Sequence, residues 1–466
     1  MEALRKKVER IATPTNLDAS TIRSERIICR CLFAGLLLIF LSVWKGDGGY
    51  LDLRQYLDNA ENLWLKGDLA LPAEAGQARR YYIHPLGSAF MSGPFVLLGA
   101  AIEKLSGGAI GGRNLAAFGI PVYGTLACLL LYCTGRQLNL PAQVCVWTAW
   151  MLGLGSTFLS YTRLFFTEVP MVFCICLAGW AFVHARRTGS LRWTLLCGAG
   201  LAGIAACHFN STFISIGLWT GMSYALFRNA SCQLAVSRFR LIAALSLIPA
   251  LTAAILAYMN KVRFGHPFST GYESLLAGLE HPFSLSNIPK NFPNFLFWLY
   301  HNIWVLPAAW FLRKAWRVER GWSLGIILAS VLHLAFMQTY ISLRTFPLRH
   351  PLPVVAVLSV GLLFFGEWLW RRWQWRGLVY SGLVLCAWNL ALFIRADDGT
   401  QTFWANPRDG SLNCYAWYMA PAGVDTFGTP MSAPQWAAFL ACAIVGMGLS
   451  LAAAREAVRL DWVSDR

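Results

Sequence analysis

Apolar positions run along this chain in long unbroken stretches, without the alternation or the narrow helical stripe of a soluble fold. Stretches near 27–44, 113–133, 141–160, 169–185, 192–207, 211–227, 241–259, 293–312, 321–341, 351–368, 377–394 and 435–453 approach or exceed the roughly 18 residues that cross a bilayer as a helix. The pattern predicts an all-α polytopic membrane protein with about twelve transmembrane helices. One further stretch, 86–105, carries Gly87, Gly93, Pro94 and Gly99 and reads either as a span or as a helix lying on the membrane surface.

Composition sharpens this picture. Of 466 residues, 56% are hydrophobic and 13% charged, against roughly 45–50% and about 25% in soluble domains. A soluble enzyme, a disordered chain and a disulfide-stapled secreted domain are excluded. Cys128, Cys145, Cys174, Cys176 and Cys442 sit inside apolar runs, where Cys packs as a small hydrophobe. The net charge of +16 could point to nucleic acid, but the basic residues lie in short clusters between apolar runs, as in cytoplasmic loops. No nucleic-acid partner is expected; membrane lipids are.

Placing 86–105 on the surface puts the excess of Lys and Arg on the cytoplasmic side, and threading it through reverses the excess. Twelve spans plus outer-face juxtamembrane helices follow, with both termini cytoplasmic. The first run then acts as a retained signal anchor. The expected organisation is a tail over 1–26, a transmembrane domain over 27–453 and a tail over 454–466, with long outer loops at 45–112, 260–292 and 395–434.

Most acidic residues fall on the outer side and almost none inside the helices. That weakens an ion-coupled transporter, which keeps ionisable groups at mid-membrane. Asp47, in the Gly-rich turn Lys45-Gly-Asp47-Gly-Gly-Tyr50, reads either as a general base at an apolar wall or as a solvated loop acid. Residues 51–65 form an amphipathic surface helix with Tyr56, Leu57 and Ala60 on its apolar face and Asp58 and Glu61 on its wet face. Tyr81-Tyr82-Ile-His84-Pro-Leu-Gly87 follows, its His-Pro step extending the backbone. Glu168 suits the N-terminus of a helix beginning at Pro170 and capped by Thr167. Lys261, Arg263 and His266 form a local cationic site, with Gly265 and Gly271 letting the backbone approach a ligand. Arg344, Arg349 and His350 are outer-side groups that break the charge bias. His208 and His333 read as helix-packing histidines, and the Asn210 sequon as too close to the membrane to be glycosylated.

The order of these features resembles the GT-C superfamily of membrane glycosyltransferases. The features are Asp47 after the first helix, the amphipathic helix, His84-Pro-Leu-Gly87, Glu168, the loop from Asn260 through Phe264 and Gly265 to Gly271-Tyr272, and Arg349-His350-Pro-Leu-Pro353. The nearest branch is the protein-O-mannosyltransferase and aminoarabinose-transferase group. Two departures, a single Pro after His84 and Gly48 where that group carries a second acid, bear on the substrate.

The resemblance implies a sugar moved with inversion from a polyprenyl-phosphate donor to a lipid, polysaccharide or protein acceptor on the outer face of a bacterial inner (plasma) membrane. It implies Asp47 as base and Glu168 as the second carboxylate. Lys261, Arg263 and Arg349 would hold the donor phosphate, and Tyr82, His84, Tyr272 and His350 would line the pocket. No metal or other cofactor is required, and a divalent cation is left open. An O-antigen polymerase and a lipid-linked sugar transporter stand as the alternatives.

Overall fold

The computed structural model describes residues 19–44, 51–70, 81–82, 85–109, 111–162, 165–228, 235–269, 284–339, 351–395 and 433–464. In chain order the helices are α1 (Ala19–Val43), α2 (Leu51–Glu61), α3 (Gly87–Leu105), α4 (Gly112–Ala117), α5 (Gly119–Gln137), α6 (Ala142–Gly153), α7 (Phe158–Tyr161) and α8 (Glu168–Thr188). There follow α9 (Leu191–Cys207), α10 (Thr212–Phe227), α11 (Ala235–Phe264), α12 (Ile288–His301), α13 (Val305–Val318), α14 (Arg320–Thr339), α15 (Leu352–Arg395) and α16 (Ala433–Ser464). Among the described residues, eight helical segments are long and apolar enough to span a membrane, Gly87–Leu105 among them. The protein is an all-α, multi-pass membrane protein.

Two expected spans are interrupted, and the breaks pair with each other. The run at 141–160 divides between α6 and α7, and that at 293–312 between α12 and α13. The two interruptions face each other. Asn302 Oδ1 accepts from the Thr157 amide (3.1 Å) and hydroxyl (3.2 Å), and Trp304 Nε1 donates to the Gly155 carbonyl at 2.9 Å. Asn389 Nδ2 donates to the carbonyls of Leu154 (3.0 Å) and Ser156 (2.7 Å). Broken helix in an apolar surrounding survives only when its backbone groups find such partners. Hydropathy sees one apolar run here, because single Asn and Trp residues barely change the average.

Small residues set the helix contacts. Gly221 of α10 meets Gly321 and Gly325 of α14, so close that a Cβ at Gly221 would lie 2.2 Å from the Gly325 nitrogen. The segment expected as a tail, 454–466, continues α16 as helix to Ser464. There Asp461 caps α6, accepting from the amides of Ala142 (2.8 Å) and Gln143 (3.0 Å). Within α15, Gln374 (φ 52°, ψ −142°) breaks the helix between the two runs expected at 351–368 and 377–394.

Charged groups collect at the two ends of the bundle. On α8, Glu168 and Arg186 are separated by about 27 Å of helix, and Arg186 Nε donates to Glu319 after α13 at 2.9 Å. On α5, Arg136 Nε donates to Glu25 of α1 at 2.7 Å. At the opposite end, Arg113 of α4 meets α2. Glu168, Arg113 and the C-terminus of α11 thus share one end, and the Arg186 and Arg136 pairs lie at the other.

Candidate active site

The α2 helix buries Tyr56, Leu57 and Ala60, the apolar face expected of it. It continues into a π-helical turn, Asn62–Lys66, in which Trp64 Nε1 donates to the Ala89 carbonyl of α3 at 2.8 Å. Its acids are not a freely hydrated face. Asp58 Oδ1 and Glu61 Oε2 both bind Arg113 Nη1, at 2.7 and 3.0 Å, with all three side chains about three-quarters buried. Asp58 Oδ2 also accepts from the Tyr82 hydroxyl at 2.9 Å. Arg113 is the residue that sequence reasoning missed. The available signal was the one applied to Arg349, a cation on the side that charge bias leaves poor in cations.

Burial raises the Glu61 carboxyl above its ordinary range, outweighing the nearby Arg113, while Asp58 adds to the rise. A raised folded-state pKa favours the fold at acid pH and works against it as the pH climbs through that value. Glu61→Gln is therefore expected to change stability by no more than about 0.5 kcal/mol. Arg113→Gln, which leaves two largely buried carboxylates side by side, is expected to cost about 1–2 kcal/mol. Thermal melting of the purified variants at pH 7.5 compares them, and a larger loss for Glu61→Gln would contradict this reading.

Tyr82 and Gly87 are each held by another element. Arg263, buried at the C-terminus of α11, donates through its guanidinium to the Tyr82 carbonyl. The same guanidinium stacks 4.6 Å from the Phe264 ring centroid. Gly87 lies against the backbone of Ala206 at the end of α9, where a Cβ would stand 2.3 Å from the Ala206 carbonyl carbon. Only glycine allows that approach, which accounts for the Gly of the His-Pro-Leu-Gly step. Gly87→Ala is expected to lower stability by about 1–3 kcal/mol and to pull the segment off α9. Melting temperature and activity, measured together, test this; an unchanged melt would contradict it.

Glu168 opens α8 and is almost fully buried, at 1% exposure. Its charge suits a helix N-terminus. The helix starts two residues before the expected Pro170. Thr167 makes no side-chain cap and instead directs its hydroxyl to Glu168 Oε2 at 3.3 Å. Glu168 also lies within electrostatic reach of Cys207 at the end of α9. The α9 terminus therefore lies close to Glu168 and packs against Gly87, and Tyr82, five residues before Gly87, is held by Arg263 and Asp58.

The cationic loop differs from the local site expected. Lys261 and Arg263, about 200° apart around the helix, face different ways: Arg263 is buried and Lys261 exposed. His266 is exposed, and its Nδ1 accepts from the Phe268 amide at 3.2 Å. Gly265 (φ 80°) ends α11, its amide donating to the Lys261 carbonyl at 2.9 Å, so helix termination accounts for it without a ligand. His333 is fully buried, with Nδ1 3.2 Å from the Asn210 carbonyl. Asn210 is itself buried. Among the described residues, no three His, Cys, Asp or Glu side chains group as metal ligands would. Asp47, His84, Tyr272, Arg349 and His350 lie outside the described residues.

No family model matches the chain, and no curated protein matches it in sequence. Solved structures do. ArnT from Cupriavidus metallidurans bound to undecaprenyl phosphate is similar with a TM-score of 0.52 at 16% identity, over 91% of this chain and 76% of that one. The same protein in its apo state gives 0.50 at 15%, over 91% and 75%. A looser likeness, TM-score 0.47 at 11% identity over 88% and 60%, is to the Archaeoglobus fulgidus oligosaccharyltransferase tethered with an acceptor peptide. At such identities the likeness is one of fold. The chain has a fold similar to that of ArnT, in keeping with the membrane fold expected from the order of its motifs.

Proposed function

We propose that this protein is a membrane glycosyltransferase that moves a sugar, with inversion, from a polyprenyl-phosphate carrier to an acceptor on the outer face of a bacterial inner membrane. The observation that carries the reading is the placement at one end of the bundle of buried Glu168 and of buried Arg263, which holds the Tyr82 carbonyl, while Gly87 packs on the end of α9. The ArnT fold supports it, since that protein binds undecaprenyl phosphate in the similar structure.

In this reading an acceptor hydroxyl attacks the anomeric carbon of the donor sugar. The bond from that carbon to the phosphate oxygen breaks, and its electron pair leaves with the lipid phosphate. Asp47 takes the hydroxyl proton, and Glu168 orients the acceptor or the sugar. Charge developing on the leaving phosphate is stabilised by cations. Lys261, which is exposed, and Arg349 are assigned to that phosphate. Arg263 contributes from behind by holding the Tyr82 backbone. Tyr82, His84, Tyr272 and His350 line the pocket.

Co-product stoichiometry tests the class. With purified protein and a lipid-linked sugar, each sugar transferred should release one polyprenyl monophosphate. Release of a diphosphate would favour the polymerase reading, and movement of intact donor across a bilayer without release would favour the transporter.

A further inference from the structure

The opposite end of the bundle carries a second built feature that glycosyl transfer does not use. The break at Gln374 is flanked by Arg371, Arg372, Trp373, Trp375 and Arg376, and these residues line a cleft of about 820 Å³. Arg371 is tied to Glu367 one turn back, at 2.5 Å. Arg372 and Arg376 are exposed and, among the described residues, in no ion pair. Trp373 and Trp375 are each about half exposed, at 51%. The Arg376 guanidinium lies 5.8 Å from the Trp375 ring centroid.

A second helix end brings more cations to the same place. Phe311 of α13 packs against Trp368 of α15 with centroids 5.7 Å apart. Lys314 lies within electrostatic reach of Glu367 and Arg371 as well as of Arg313 and Arg317. Arg313 sits over exposed Trp310 at 4.1 Å. The basic end of α13 therefore lies beside Glu367 and Arg371 of α15, next to the cleft that residues 369–381 line. Snorkelling accounts for scattered arginines. It does not account for a cleft whose backbone holds a non-glycine residue at φ 52°, a conformation L residues rarely adopt and which tends to persist at ligand-holding sites.

We propose that this hinge is a binding site for the headgroup of an anionic glycerophospholipid. Arg372 and Arg376 grip its phosphate, and Trp373 and Trp375 sit at the boundary between headgroup and acyl chains. Arginine forks match phosphate oxygens in pairs. Tryptophan prefers that interfacial depth. Charge complementarity selects an anionic lipid over a zwitterionic one, because surplus cations face the cleft.

The test is native mass spectrometry of the detergent-purified full chain titrated with phosphatidylglycerol or phosphatidylcholine. Wild type should retain phosphatidylglycerol at least tenfold more tightly. Arg372→Gln with Arg376→Gln should weaken that retention by about tenfold or more. The charge-matched pair Arg228→Gln with Arg240→Gln, both exposed elsewhere, should leave it unchanged. Arg372→Lys with Arg376→Lys keeps the charge but not the forks and should fall between. Equal retention of the two lipids, equal losses in the two Gln pairs, or a preference for polyprenyl phosphate over phosphatidylglycerol would overturn the proposal.

Discussion

Asp47→Asn is expected to abolish sugar transfer while leaving protein yield and melting temperature unchanged. The substitution keeps the side chain's shape and removes its capacity to take a proton, and a positioned general base contributes about 10²–10⁴ in rate. Asp47 itself lies outside the described residues. The helix that leads to it is anchored by Trp44, whose ring meets Phe118 edge-on at 6.1 Å, at the bundle end that holds Arg113. Loss of rate should fall on kcat, with donor KM within about threefold of wild type, because proton abstraction belongs to the transition state. An Asp47→Asn enzyme with wild-type kcat would remove Asp47 from the chemistry and leave the fold and the donor class untouched.

The second large effect is expected at Arg263. Arg263→Leu removes a buried guanidinium from the Tyr82 carbonyl. It should lower stability by about 1.5–3 kcal/mol, the range for hydrogen bonds involving a charged group. It should also cut kcat/KM by tenfold or more, because Tyr82 loses the contact that holds its backbone. Arg263→Lys restores the charge without the planar fork and should recover only part of either loss. If Arg263→Leu melts like wild type and turns over normally, the segment is held by other contacts and Arg263 has no positioning role.

Much of this architecture could be read from the sequence, because bilayer physics writes itself in long apolar runs and in charge bias. The apolar face of α2, the packing role of His333 and the place of Glu168 at a helix N-terminus all follow from such patterns. What stayed hidden depends on pairings between distant segments. Asp58 looks like a wet-face acid until Arg113, 55 residues away, is placed beside it. Asp461 looks like part of a tail until the N-terminus of α6 needs a cap. Gly265 looks like a ligand-facing glycine because a loop motif and a helix stop use the same residue. The cationic loop looked like one cluster, since sequence proximity does not show that α11 turns Lys261 and Arg263 to different faces.

The most direct measurement offers the purified protein a panel of radiolabelled polyprenyl-phosphate sugars, with native membrane extract as acceptor. Glycosyl transfer at the Glu168 end of the bundle predicts labelled product from one of these donors in the wild type and none from that donor with Asp47→Asn at equal protein yield. If no polyprenyl-phosphate sugar is consumed, while sugar nucleotides or lipid-linked oligosaccharides are, the proposed donor class is wrong.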